Sequence, residues 1–224
     1  MAGQATGRRT WRCAGPTSRV AGIVNALEEA LRRIIAGLEG AHASWAIVGG
    51  IAVSARAEPR TTRDVDVAVA VSGDNEAEHL VRALQSSGYR VRAVVEHETA
   101  GRLATARLFH SERSALLVDL LFASSGIEGE VVRRADRLEI LPGLAANVAS
   151  IGHLLALKVL ARDDRTRPQD WDDIHALLAN ADDDDIREAL EAVALIEARG
   201  YARGRPLRQQ LDAILTDRKA RTPG

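Results

Sequence analysis

Asp64 and Asp66 stand two residues apart in an alternating stretch, Asp64-Val65-Asp66-Val67-Ala68-Val69-Ala70-Val71. In a β-strand this spacing turns both carboxylates to one face, about 7 Å apart at their α-carbons, and the valines to the other. Two acids on one rigid strand end can share divalent cations. A hard cation such as magnesium, or manganese, takes oxygen ligands together with substrate phosphates. A third acid, Asp119, interrupts the apolar run from Ala115 to Phe122. A carboxylate buried in such a strand must be neutralised, paired or bound to metal. Two readings stand for it: a structural pair with an arginine, or a third carboxylate joining Asp64 and Asp66 from a neighbouring strand.

Other residues surround this acidic strand in sequence. Gly49-Gly50 ends a short apolar run, Trp45 to Val48, at a strand-to-helix turn. Glycine there lets backbone approach a phosphate, and the free N–H groups of the next helix favour an anion. A tight turn without a ligand is the plainer reading of the pair alone. Arg60 and Arg63 flank the acids and either pair with them or hold a triphosphate. Lys158 occurs on the same helical stripe as Ile151, Leu154 and Leu155 in a nearly all-apolar segment, so it either snorkels to the surface or points into a cleft. Asp170 and Asp173, three apart, face the same way as Ile174 and Leu177 near a helix start, where acids also complement the helix dipole. Beside these plainer readings, Gly49, Gly50, Arg60, Arg63, Lys158, Asp170 and Asp173 are the candidates for a phosphate- or nucleotide-binding set. The six histidines have no ligand spacing, and neither Cys13 nor Ser54 has an evident base partner. Rossmann and P-loop glycine signatures are both missing.

The elements that must carry these groups follow from periodicity. Helical spacing covers 20–40, with Ile23, Leu27, Leu31, Ile34 and Leu38 on one face, and again Asn75 to Ser87. Ile51 to Ala57 reads as one or two helical turns stopped by Pro59. Strand patterns cover Tyr89 to Glu96, with Val91, Ala93 and Val95 on one face, Ala104 to Phe109, the Asp119 run, and Leu138 to Leu141. After Asn147 only helices are read: Ile151 to Arg162, Pro168 to Ala179, Ile186 to Ala198 and Leu207 to Leu215. The expectation is an α/β (α+β) fold, a mixed twisted sheet flanked by helices and followed by a C-terminal helical bundle. The expected divisions are 1–19 disordered, 20–146 a catalytic domain, 147–218 a helical domain and 219–224 a flexible tail. The cleft is expected between the two domains.

Composition agrees with an ordinary folded protein that has a real core. The chain has 224 residues, 46% hydrophobic but only 3% aromatic, so aliphatic residues must fill the core. A net charge of -1 leaves nucleic-acid binding to a local patch. Arg90, Arg92, Arg102, Arg107, Arg113, Arg133, Arg134 and Arg137 would supply one if they cluster. The single Cys13 excludes an intrachain disulfide and fits a reducing, cytoplasmic compartment. No apolar run reaches the roughly 20 residues of a membrane helix, and no secretory signal is read.

Val48-Gly49-Gly50, then Asp64-Val65-Asp66, then Asp119 on a later strand together resemble the nucleotidyltransferase fold of the DNA polymerase β superfamily. The wording Arg60-Thr61-Thr62-Arg63-Asp64-Val65-Asp66-Val67, with Lys158 and Asp170-Trp171-Asp172-Asp173, is most similar to the AbiEii abortive-infection toxins and related nucleotidyltransferases. The resemblance implies that Asp64, Asp66 and Asp119 are catalytic and hold magnesium. It also implies that Gly49, Gly50, Arg60 and Lys158 bind the nucleoside triphosphate (NTP). The implied reaction moves a nucleoside monophosphate to an acceptor hydroxyl on tRNA or protein and releases pyrophosphate. A cognate antitoxin is the implied partner, and no membrane is involved. An antibiotic-modifying adenylyltransferase and a nucleotide-binding module without catalysis are the other readings. One departure is plain: many superfamily members carry serine where this chain has Gly50.

Overall fold

The computed structural model describes residues 18–62, 64–97, 100–110, 116–162 and 169–221. Its helices are α1 (Ser18–Gly40), α2 (Gly49–Arg56), α3 (Asp74–Ser86), α4 (Glu128–Arg133), α5 (Ile151–Ala161), α6 (Gln169–Asn180), α7 (Asp183–Ala198) and α8 (Leu207–Arg221). Its strands are β1 (Ser44–Val48), β2 (Asp64–Ala70), β3 (Arg90–His97), β4 (Arg102–Phe109), β5 (Leu117–Leu121), β6 (Asp136–Leu141) and β7 (Leu144–Val148). The strands form one mixed sheet in the order β3-β4-β5-β2-β1-β7-β6. The pairs β2–β5 and β1–β7 are parallel, and the others are antiparallel.

The alternation in β2 does what its pattern dictates. Val65, Val67 and Val69 are buried to within 1% of full coverage, while Asp64 and Asp66 stay half-buried on the opposite face. Leu31, Ile34 and Leu38 of α1 join the valines in a core cluster that continues into α5, α6, α7 and α8. Burying so many aliphatic side chains, at about 25 cal/mol per Å2 of apolar surface, is the main force holding the helices to the sheet. In α5, Ser150 caps the first turn by accepting from the His153 backbone N–H. Gly152 lets α7 come close: a Cβ there would lie 2.6 Å from the Asp185 carbonyl oxygen.

Several expectations are corrected. The helix α4 and the strand β7, which pairs with both β1 and β6, were not read from the sequence. A bulge in β3 sets Val91 opposite Leu108 and Ala93 opposite Arg107, so Val91 leaves the face of Ala93 and Val95. The helix α1 begins at Ser18, inside the stretch expected to be disordered, and α8 runs to Arg221, into the expected tail. Arg63, Arg113 and Pro168 fall outside the described residues.

Arg199 ties α7 to α4 through Glu130, at 2.9 Å. Its hydrogen bond, aided by Arg133 and opposed by burial, holds the Glu130 carboxyl down from 4.5 to about 2. A depressed carboxyl contributes its stability fully above the unfolded value and loses it as pH falls through the folded one. Glu130→Gln should therefore remove the part of acid destabilisation between pH 4.5 and 2, read from melting temperature against pH for both proteins.

Candidate active site

Cross-strand registers align the chemistry. Val48, Asp66, Asp119, Arg107 and Ala93 are successive partners across β1, β2, β5, β4 and β3, so they form one row on one face of the sheet. The next row toward one end holds Leu121, Thr105 and Val95. These two rows floor a cleft of about 380 Å3. Its roof is Leu154, Leu157, Lys158 and Ala161 of α5, whose spacing makes a single helical stripe. Asp170 at the start of α6, the β5–α4 loop residues Ser124 and Ser125, and Arg203 complete the walls. The loop is fixed by Glu128, whose Oε1 accepts from both serine N–H groups and both hydroxyls at 2.7–3.0 Å.

Asp119 is placed by β5 with a side chain only 9% exposed. Both its oxygens are taken by Arg107: Nε donates to Oδ1 at 2.7 Å and Nη2 to Oδ2 at 2.6 Å. Of the two readings for Asp119, the arginine pair and the neighbourhood of Asp66 are both found. The Asp119 hydrogen bond is the main cause that raises the Arg107 guanidinium above its ordinary value; burial opposes it, and the charges of Asp119, Asp64 and Asp66 add to it. Three carboxylates thus act on one cation. Among the described residues no three Asp, Glu, His or Cys side chains lie together as a metal cage. The donor set is nonetheless all carboxylate oxygen on adjacent strands, the chemistry that suits a hard cation. Arg107 is the residue that sequence reasoning missed here, having counted it only as surface charge.

The glycine pair has two separate structural reasons. Gly49 sits at φ +62, and a Cβ there would fall 2.0 Å from the Asp66 Oδ2. The Asp66 carboxylate rests where a side chain would otherwise stand. Gly49→Ala should therefore strain the turn by about 1–2 kcal/mol and push Asp66 out of its row. Transfer activity is expected to fall at least about tenfold more than melting temperature accounts for; steady-state rates beside a thermal melt would check this. Gly50 has an ordinary φ, but its Cβ would meet the Arg60 Nη2 at 2.6 Å. The guanidinium of Arg60 fills the space of the missing side chain, a physical reason for glycine at this position.

Behind the cleft an ion network joins α5, α6 and the segment before β2. Lys158, 12% exposed, reaches Asp170 at 2.8 Å and Asp173 at 2.6 Å. Arg60 pairs with Asp173 rather than with Asp64 or Asp66: Nη2 donates to Oδ2 at 2.9 Å, and Nε lies 2.7 Å from Oδ1 without the alignment of a hydrogen bond. Lys158 lines the cleft with its Nζ turned to Asp170 and Asp173, and it does not snorkel outward. Of the predicted site residues, Gly49, Asp66, Asp119, Lys158 and Asp170 line the cleft, while Gly50, Arg60 and Asp173 stand behind it. Asp64 shares the Asp66 face at the start of β2 without lining the cleft. The surface arginines are not one unpaired patch. Arg102 contacts Asp74, Arg133 contacts Glu130, and Arg137 reaches Glu39. Among the described residues, no helix is long and apolar enough to cross a membrane.

Among solved structures the chain is similar to the antibiotic-resistance factor ANT(2'')-Ia, at 18% identity and TM-score 0.45 over 89% of this chain and 94% of that one. It is similar to an antigenic nucleotidyltransferase-like protein from Paracoccidioides brasiliensis, at 18% identity and TM-score 0.49 over 79% and 89%. It is also similar to the lincosamide antibiotic adenylyltransferase LnuA, solved with lincomycin bound, at 15% identity and TM-score 0.44 over 69% and 98%. Likenesses this distant carry no substrate with them. No curated protein sequence matches the chain. The family model described as nucleotidyl transferase AbiEii toxin, type IV toxin–antitoxin system, matches residues 29–222. That span takes in every site residue above, and the chain belongs to the AbiEii nucleotidyltransferase family.

Proposed function

We propose that this family member transfers a nucleoside monophosphate from an NTP to a hydroxyl of an RNA acceptor, tRNA in the first place, and releases pyrophosphate. The observation that carries the reading is the row in which Asp66 and Asp119 stand side by side next to the Gly49-led start of α2. The N-cap Val48 offers α2 no side-chain hydrogen bond. The first N–H groups of the helix are thereby left to bind a phosphate. Lys158 adds positive charge from the roof, and Arg60 adds it from behind Gly50. Asp64, Asp66 and Asp119 would hold magnesium or manganese. Bound there, divalent cations lower the acceptor hydroxyl's pKa and stabilise charge on the attacking and leaving oxygens.

The far half of the cleft bears on the acceptor. Among the described residues it is lined by Ala93, Val95, Thr105, Leu121, Ser124 and Arg203. The charge among these described residues is basic, a balance that suits an anionic acceptor better than a polycationic drug. This favours RNA over the antibiotic-modifying alternative, and over a protein acceptor it favours the more anionic chain. A cognate antitoxin is the partner that the toxin family implies, and the cytoplasm is the compartment that fits both. Incubation of the protein with each labelled NTP, magnesium and either total RNA, a protein fraction or aminoglycosides tests the acceptor. RNA is expected to take the label; labelled protein or drug with unlabelled RNA would replace this reading.

A further inference from the structure

We propose that Arg107 is a built-in competitor for the cation site: it holds Asp119 in the metal-free protein and makes divalent-cation binding weak until nucleotide arrives. The inference rests on the reading of Asp64, Asp66 and Asp119 as the acids that hold the cation. It goes beyond that reading by assigning Arg107 as a positioning residue that acts through Asp119.

Register and geometry both support it. Arg107 and Asp119 are direct partners in the antiparallel β4–β5 pair, so the contact is fixed by backbone and not by a wandering surface side chain. The pairing is bidentate, with both carboxylate oxygens used at 2.7 and 2.6 Å, the strongest form of such a contact. A cation approaching this row finds the Asp119 oxygens already occupied. The two partners differ in freedom: the Asp119 side chain is 9% exposed and has nowhere to turn, while Arg107 is 44% exposed and has solvent to swing into. Arg107 is therefore the member that leaves. Asp64 and Asp66 also act on the guanidinium, so it supplies the positive charge that a divalent cation would supply to the same three acids.

The consequence is an order of events. A lone divalent cation must displace an internal positive charge and leave it facing the cation it made room for. A triphosphate brings an anion into the cleft, so the released guanidinium gains a partner of opposite sign. Cation affinity should rise with nucleotide bound. An ordinary structural ion pair would show no such dependence.

The test is manganese binding, followed by the free-ion electron paramagnetic resonance signal, with the full chain and no nucleotide. Arg107→Gln is expected to bind manganese about tenfold tighter than the wild type, since a competing pair of about 1.4 kcal/mol has been removed. Arg107→Lys, which keeps the charge, should stay within about threefold of the wild type. A non-hydrolysable NTP should narrow the gap between wild type and Arg107→Gln. In thermal melts manganese should raise the melting temperature of Arg107→Gln more than that of the wild type, which also reports on folding. Equal or weaker manganese binding by Arg107→Gln, with measurable binding by the wild type, overturns the role of Arg107 and leaves the acids as cation ligands. No manganese bound by either protein, with or without the NTP, overturns both.

Discussion

Asp66→Asn is expected to abolish nucleotidyl transfer, lowering the rate by at least about 10^3-fold while the protein stays folded. The residue adjoins Asp119 across the β2–β5 pair, and its Oδ2 lies where a Gly49 side chain would be. Asparagine has the same shape, so it keeps the packing against Gly49 and removes only the charge. Loss of one anionic ligand should remove several kcal/mol of transition-state charge stabilisation; about 4 kcal/mol corresponds to about 10^3 in rate. The check is pyrophosphate release beside a thermal melt. Retained activity in a folded Asp66→Asn protein would exclude this row from the chemistry.

Lys158→Ala is expected to destabilise the protein by about 3–5 kcal/mol, the scale for breaking a buried ion pair by removing one partner. The lysine is the contact between α5 and two buried acids of α6, Asp170 and Asp173, at 2.8 and 2.6 Å. Asp173 keeps Arg60, and Asp170 loses its contact with Lys158. A loss of this size is a large share of the total stability of a domain, about 5–15 kcal/mol. Combining Lys158→Ala with Asp170→Asn should restore part of it, because the buried carboxylate that Lys158 compensates is removed as well. The double variant then permits a clean NTP titration. Weaker NTP binding there would assign Lys158 to the nucleotide as well as to the network, and unchanged affinity would leave it a structural role only.

The strand-borne part of the site was legible because its signal is local. Period-two alternation gave β2 and the face shared by Asp64 and Asp66. An acid in an apolar run marked Asp119, and helical spacing put Lys158 on an inward stripe with inward acids to meet it. What was missed depends on registers between distant segments. Arg60 finds Asp173 across 113 positions of sequence, a contact no local pattern reveals. Arg107 falls opposite Asp119 only because β4 and β5 pair in one register out of several. The strand β7, Leu-Ala-Ala-Asn-Val, has a single β-branched residue and forms because β1 and β6 stand ready beside it. The helix α4 is six residues long without a side-chain cap, too short to leave a period.

Which phosphorus moves is the most direct question to ask of this cleft. NTPs labelled at the α-phosphorus or at the γ-phosphorus, incubated with the protein, magnesium and RNA, separate nucleotidyl transfer from every other use of the nucleotide. The α-label should enter RNA, with one pyrophosphate released per label, and the γ-label should leave entirely in pyrophosphate. Transfer of the γ-label to the acceptor, or release of inorganic phosphate in place of pyrophosphate, would contradict it.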